Sequence, residues 1–220
     1  KKVKQMNVKA SYGDQIQLIL LSILPAALVS GPLISELIVN LIVIFFIIEI
    51  LIGKKFSVLK ENLFLYFTLF YFFLIFSLLN SDIFSKSALN VFSYFRFFLF
   101  AFAVRALFQR QGSINKYIYY VLSITIFIVV IDGYIQFFSG QNILGFPKYR
   151  LDRISGFFND DLILGSYLLR IIPILLGLTL FFKDKTKITF YFNLLLILSS
   201  ALLIFLSGEI SSFLLMMLLI

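Results

Sequence analysis

Four cations, Lys148, Arg150, Arg153 and Arg170, fall between residues 139 and 173, in a stretch that joins two long apolar runs. Three lie in the connecting segment, and Arg170 lies well inside the second run. The planar guanidinium of arginine suits bidentate grip on phosphate oxygens. An arginine inside an apolar span is costly enough to require a counter-charge. The chemistry these residue types point to is recognition of an anion at a membrane face.

Polar groups in the neighbouring runs extend the set. Arg96, Ser93 and Asn90 are spaced by three, which puts them on one helical face, expected to look into a helix bundle. Asp132 and Gln136, four apart, share a face and are expected to pair with Arg96 or Arg170. Counted from the ends of their runs, Arg96, Asp132 and Arg170 lie roughly 10 to 15 Å deep, so one layer holds three ionisable groups and a net positive charge. A plainer reading stays open. Arg96 and Asp132 form a packing ion pair, Arg170 snorkels to water, and Gly140, Gly145, Pro147 and Gly156 shape a turn whose cations are solvated among headgroups. Asn159, Asp160 and Asp161 fit N-cap and first-turn positions of the following helix, where the helix dipole favours carboxylates.

Composition narrows the chemistry further. The chain has 220 residues, of which 61% are hydrophobic and 14% charged. Its mean hydropathy is +1.03, far above that of a soluble domain. Cysteine, tryptophan and histidine are absent, which removes disulfides, thiolate or imidazole metal sites, imidazole acid–base catalysis and Cys/His or Ser/His triads. No metal or cofactor is expected. Any chemistry falls to Asp, Glu, Lys, Arg or Tyr. The net charge of +8 is no argument for nucleic acid, because the cations collect in short segments between apolar runs.

Those runs predict an all-α, polytopic transmembrane helix bundle. Spans are expected at about 16 to 31, 33 to 52, 62 to 80, 87 to 108, 116 to 139, 161 to 182 and 188 to 206, with a truncated eighth from near Ile210. Gly31-Pro32 separates the first two, and Pro25 bends or shortens the first. With a cytoplasmic N-terminus, thirteen Lys and Arg face the cytoplasm, four face the other side (Lys86, Lys148, Arg150, Arg153), and Arg96 and Arg170 lie within spans, which accounts for all nineteen. No internal repeat or separate soluble domain is evident. The chain reads as a single transmembrane domain over 1–220 and as a fragment, opening without Met and stopping within an apolar run.

The order Ile131-Asp132-Gly133-Tyr134-Ile135-Gln136-Phe137-Phe138-Ser139-Gly140-Gln141-Asn142-Ile143-Leu144-Gly145 resembles bacterial O-antigen ligases and O-antigen polymerases. So do Arg153-Ile154-Ser155-Gly156-Phe157-Phe158-Asn159-Asp160-Asp161, Leu164-Gly165-Ser166-Tyr167, Arg170, Pro173 and the later Leu206-Ser207-Gly208-Glu209. The resemblance covers about 130 to 212. It implies a multi-span inner-membrane glycosyltransferase that works on the periplasmic side without a metal, moving a glycan from undecaprenyl diphosphate to lipid A core or a growing polysaccharide. It also implies that Arg153 binds the donor diphosphate. Position and charge add Arg150, Arg170 and Arg96 as substrate-binding residues, with Asp132, Gln136 and Asp161 as supporting polar groups.

Two departures bear on that assignment. The family commonly has an arginine after the Ser-Gly-Glu turn, where this chain has Ile210. Family ligases carry a large periplasmic region with a histidine that activates the acceptor, so the catalytic base is expected in sequence beyond Ile220, and the fragment alone is expected to be inactive. The competing assignment is a transporter or flippase for an anionic lipid-linked sugar, with Arg96, Asp132 and Arg170 lining its path. A third is a structural assembly subunit in which the charges only fix packing.

Overall fold

A computed structural model describes residues 12–53, 62–111, 116–148, 153–181 and 186–219. Eight α-helices account for most of them: α1 (Tyr12–Ser30), α2 (Pro32–Gly53), α3 (Asn62–Ser77), α4 (Phe84–Gln111), α5 (Lys116–Ser139), α6 (Leu164–Phe181), α7 (Lys187–Leu206) and α8 (Ile210–Leu219). Short 3₁₀ turns follow α3 and precede α6. No strand occurs among the described residues; Gln141 and Pro147 form an isolated antiparallel bridge. Five helices (α1, α2, α4, α5 and α7) are long and apolar enough to cross a membrane, while α3 and α6 are shorter apolar helices. Large apolar side chains such as Phe70, Phe73, Leu195 and Leu218 stay exposed, as lipid-facing residues would. Most of the basic residues that set the expected orientation, at 1–9, 54–60 and 183–185, lie outside the described residues.

Helix limits follow local chemistry. Gly31 adopts φ 120° between α1 and α2, and Pro32 opens α2 at the position where a missing N–H costs nothing. α4 runs three residues beyond its expected limits at each end, giving 28 residues and a length of about 42 Å, more than a bilayer core needs. α6 begins at Leu164, three residues later than expected. The chain first turns through Asn159, with φ 51°, and the Asp161 N–H donates back to the Phe158 carbonyl at 3.0 Å. Asn159, Asp160 and Asp161 are therefore exposed residues ahead of the helix, not its cap and first turn.

The chain forms two compact units. The first comprises Leu33–Asn115 with the chain up to Leu24, and the second comprises Pro25–Pro32 with Lys116–Ile220. In the first, aromatic rings knit α3 to α4: Phe67 lies edge-on to Phe98 with centroids 4.1 Å apart, and Tyr71 sits 5.4 Å from Phe95. In the second, Leu122, Ile126, Leu164, Leu168, Leu175, Leu203 and Ile204 are fully buried between α5, α6 and α7. Close approach of α5 to α7 depends on Gly133, because a Cβ there would lie 2.6 Å from Leu203 Cδ2. Tyr134 on the next position donates to the Ser199 carbonyl at 2.9 Å. Tyr167 of α6 donates to the Pro25 carbonyl at 2.9 Å, tying the end of α1 into this unit.

Candidate functional site: a loop fastened to helix ends

The segment after α5 is irregular, so its backbone N–H and C=O groups need partners that no regular element supplies. Two α5 side chains provide them. Gln136 is fully buried; its Oε1 accepts from Ser155 N at 2.9 Å and Gly156 N at 2.7 Å, while its Nε2 donates to the Phe146 and Pro147 carbonyls at 3.3 Å. One amide thus bridges both arms of the loop. Asp132, one turn earlier and equally buried, accepts from Ile143 N through Oδ1 at 2.8 Å. Its Oδ2 has no hydrogen-bond partner among the described residues and lies 3.1 Å from where a Cβ on Gly156 would be. With φ 58° as well, position 156 accepts only glycine without strain.

Asn142 completes the frame. Its Oδ1 accepts from Leu144 N at 3.0 Å and Phe146 N at 2.8 Å, and its Nδ2 donates to the Gly156 carbonyl at 3.0 Å. Lys148 is tied back to the end of α5: its Nζ donates to the Phe137 carbonyl at 2.7 Å and stands 5.2 Å above the Phe137 ring. A cation at the C-terminal turn of a helix also complements the dipole there.

The second anchor is the turn between α7 and α8. Arg153 donates from Nη2 to the Gly208 carbonyl at 3.0 Å, across 55 residues of chain. The Glu209 carboxylate, 5% exposed, accepts from Gly165 N (2.6 Å), Ser166 N (2.9 Å), Ser166 Oγ (2.7 Å) and Ser212 Oγ (2.9 Å). Ile163, immediately before α6, carries no side-chain acceptor, so the first N–H groups of the helix find theirs in Glu209.

No family model, curated protein or solved structure matches this chain. The site is therefore read from its own geometry. The structure brings Arg153 against the Ser207-Gly208-Glu209 turn and places Asp132 and Gln136 under the same loop. Arg170 is exposed on α6, and Asp161 is exposed ahead of it. Arg150 lies outside the described residues.

The expected charge layer changes in its pairings and in the face that Asn90 and Ser93 take. Arg96 forms a two-pronged ion pair with Glu36, at 2.9 Å from Nη2 and 3.4 Å from Nη1, so the carboxylate it meets is not Asp132. Asp132 bonds the loop backbone and pairs with no arginine among the described residues. Asn90 and Ser93 remain exposed instead of facing a bundle interior, and the Ser93 hydroxyl bonds back to the Leu89 carbonyl.

Glu209 and Asn142 entered the sequence reading only as members of longer segments, and Glu36 was given no role there. For Glu209 the sequence offered only the Ser-Gly-Glu turn itself, since Asn159, Asp160 and Asp161 already fitted the cap of α6. For Glu36 the signal was the need of Arg96 for a carboxylate in another span. Asn142 had the general turn propensity of asparagine and nothing more specific.

Beside the loop lies an apolar cleft of about 420 Å³, lined by Val29 and Ser30 of α1, Ile128 and Val129 of α5, and Leu144 and Phe157 of the loop. The Ser30 hydroxyl donates to its own helix at the Ala27 carbonyl, which leaves that wall largely apolar. Chemically, the site offers a rigid loop, an arginine with one donor engaged by a carbonyl, and an apolar cleft against the same loop. It is equipped for binding more than for proton transfer.

Proposed function

We propose that this chain belongs to a membrane glycosyltransferase of the O-antigen ligase or polymerase type. It crosses the inner membrane seven times before α8, with its N-terminus in the cytoplasm. The loop between α5 and α6 faces the periplasm and holds the diphosphate of a polyprenyl-linked glycan. Transfer breaks the bond between the glycosyl carbon and the diphosphate oxygen, so negative charge grows on the leaving group as the glycan passes to lipid A core or a growing polysaccharide. Arg153 stabilises that charge, assisted by Arg150 and Arg170. Arg96 is engaged by Glu36 through both terminal nitrogens, so its charge is already met by a carboxylate.

The observation that carries the reading is the hydrogen bond from Arg153 to Gly208. It joins two segments of the resemblance that are far apart in sequence and leaves four guanidinium N–H donors without a partner among the described residues. The apolar cleft along Leu144 and Phe157 supports a ligand with a hydrocarbon part.

The test is Arg153→Ala in the protein expressed from its own gene, with glycan transfer followed in isolated membranes. Loss of a charge-assisted hydrogen bond at the leaving group is worth about 1.5 to 3 kcal/mol, or roughly 10- to 150-fold in rate. Unchanged transfer would remove Arg153 from the mechanism. Translocation of the lipid-linked glycan across vesicles without transfer would favour a transporter instead.

A further inference from the structure

We propose that Glu209 is a positioning residue: by clamping the start of α6 to the start of α8, it fixes the Gly208 carbonyl that orients Arg153 toward the diphosphate. This rests on the donor-binding role of Arg153 given above. Four donors converge on the Glu209 carboxylate, two from backbone at the first turn of α6 and two from the hydroxyls of Ser166 and Ser212. Gly165 makes the approach possible, because a Cβ there would lie 2.8 Å from Ser207 Oγ and 3.1 Å from Glu209 Cδ. The peptide before Glu209 carries the acceptor for Arg153, and Gly208 takes φ 72° in this turn. Ser207 braces the same turn: its hydroxyl donates to the Ile204 carbonyl at 2.8 Å and accepts from Glu209 N at 3.4 Å.

Charge placement argues in the same direction. Glu209 directs its negative charge at neutral N–H and O–H donors and at the positive end of the α6 dipole. Although it follows the residue that Arg153 touches, it makes no ion pair with Arg153. The guanidinium is thus oriented by a neutral carbonyl and keeps its full charge for an anionic ligand. A carboxylate bonded directly to Arg153 would fix it equally well but cancel that charge.

The experiment is a double-mutant cycle on the protein expressed from its own gene, reconstituted in nanodiscs and titrated with undecaprenyl diphosphate. In Glu209→Gln the amide nitrogen meets donors where the carboxylate offered an acceptor, and affinity is expected to fall about tenfold. In an Arg153→Ala background the same change is expected to alter affinity by less than about twofold, since its effect runs through Arg153. A Glu209→Gln protein that binds like wild type overturns the proposal. So does one that loses the same factor in both backgrounds, which marks a merely structural role. Ser212→Ala removes one of the four bonds and repeats the cycle with a smaller, roughly threefold, expected loss should Glu209→Gln fail to fold. If Arg153→Ala alone leaves undecaprenyl diphosphate binding intact, the donor-binding reading fails first, and that outcome is separable from the others.

Discussion

Charged and amide side chains are used in two contrasting ways. At the end of α5 and the start of α6, Asp132, Gln136 and Glu209 are buried acceptors that bond to backbone N–H groups of irregular chain or a helix terminus. In the first unit, Arg96 and Glu36 meet side chain to side chain, 27% and 52% exposed. The first arrangement fixes backbone, so its loss is felt as loss of shape. The second fixes only two flexible side chains. Where a polar residue's partners are backbone, the cations nearby stay available to a ligand; where its partner is the opposite charge, the cation is neutralised.

The largest expected effect comes from breaking the first arrangement at Gln136. Gln136→Leu keeps the volume but strands Ser155 N and Gly156 N in a buried site, and each unsatisfied donor costs about 1 to 3 kcal/mol. A loss of roughly 2 to 5 kcal/mol is expected in denaturant unfolding of the reconstituted protein. Amide exchange should rise specifically over residues 142–148 and 153–158 while α7 stays protected. Equal loosening of α7 would mean that Gln136 supports the whole unit and not the loop. A somewhat smaller loss, about 1 to 3 kcal/mol, is expected for Gly165→Ala, whose methyl would push Ser207 and Glu209 away from α6. The check is whether Ser212→Ala adds little on top of it, since both act on one clamp.

The helices themselves were legible because a run of some twenty apolar residues permits little else in a chain of this composition. Legibility fell off wherever a partner came from a distant segment. Asp132 and Gln136 could be placed on one face from their spacing, yet their partners are backbone groups of the loop, and a backbone N–H has no signature in sequence. The Asn-Asp-Asp run ahead of α6 resembled a cap by residue type. The helix instead took its acceptor from Glu209, 44 residues past Gly165, an option that local propensity does not weigh. Choosing Glu36 over Asp132 for Arg96 required the register of α2 against α4, which apolar periodicity leaves open when helices are apolar all round.

Asp132 sharpens the comparison from the other side, because only one of its oxygens is engaged. Asp132→Asn retains an acceptor for Ile143 N and removes a buried carboxylate that no arginine among the described residues offsets. The expected change in unfolding free energy is within about 1 kcal/mol of zero, against a loss of roughly 1 to 3 kcal/mol for Asp132→Leu, which leaves Ile143 N without its acceptor. A large loss in the asparagine variant would show that the second oxygen requires a full charge.

The smallest effect is expected at Arg96 and Glu36. Glu36 lies in the second turn of α2, about 6 Å along from its start. Arg96 meets it from the middle of α4. With its side chains 27% and 52% exposed, the pair belongs with exposed ion pairs, which contribute about 0 to 1 kcal/mol and weaken with salt. Replacing both residues, Glu36→Gln with Arg96→Gln, should therefore shift unfolding by less than about 1 kcal/mol. Glu36→Gln alone should cost more than the double change, because it leaves Arg96 without its counter-charge beside the Phe97 ring. If instead the double variant were the worse of the two, the pair would be doing for α2 and α4 what Glu209 does for α6 and α8.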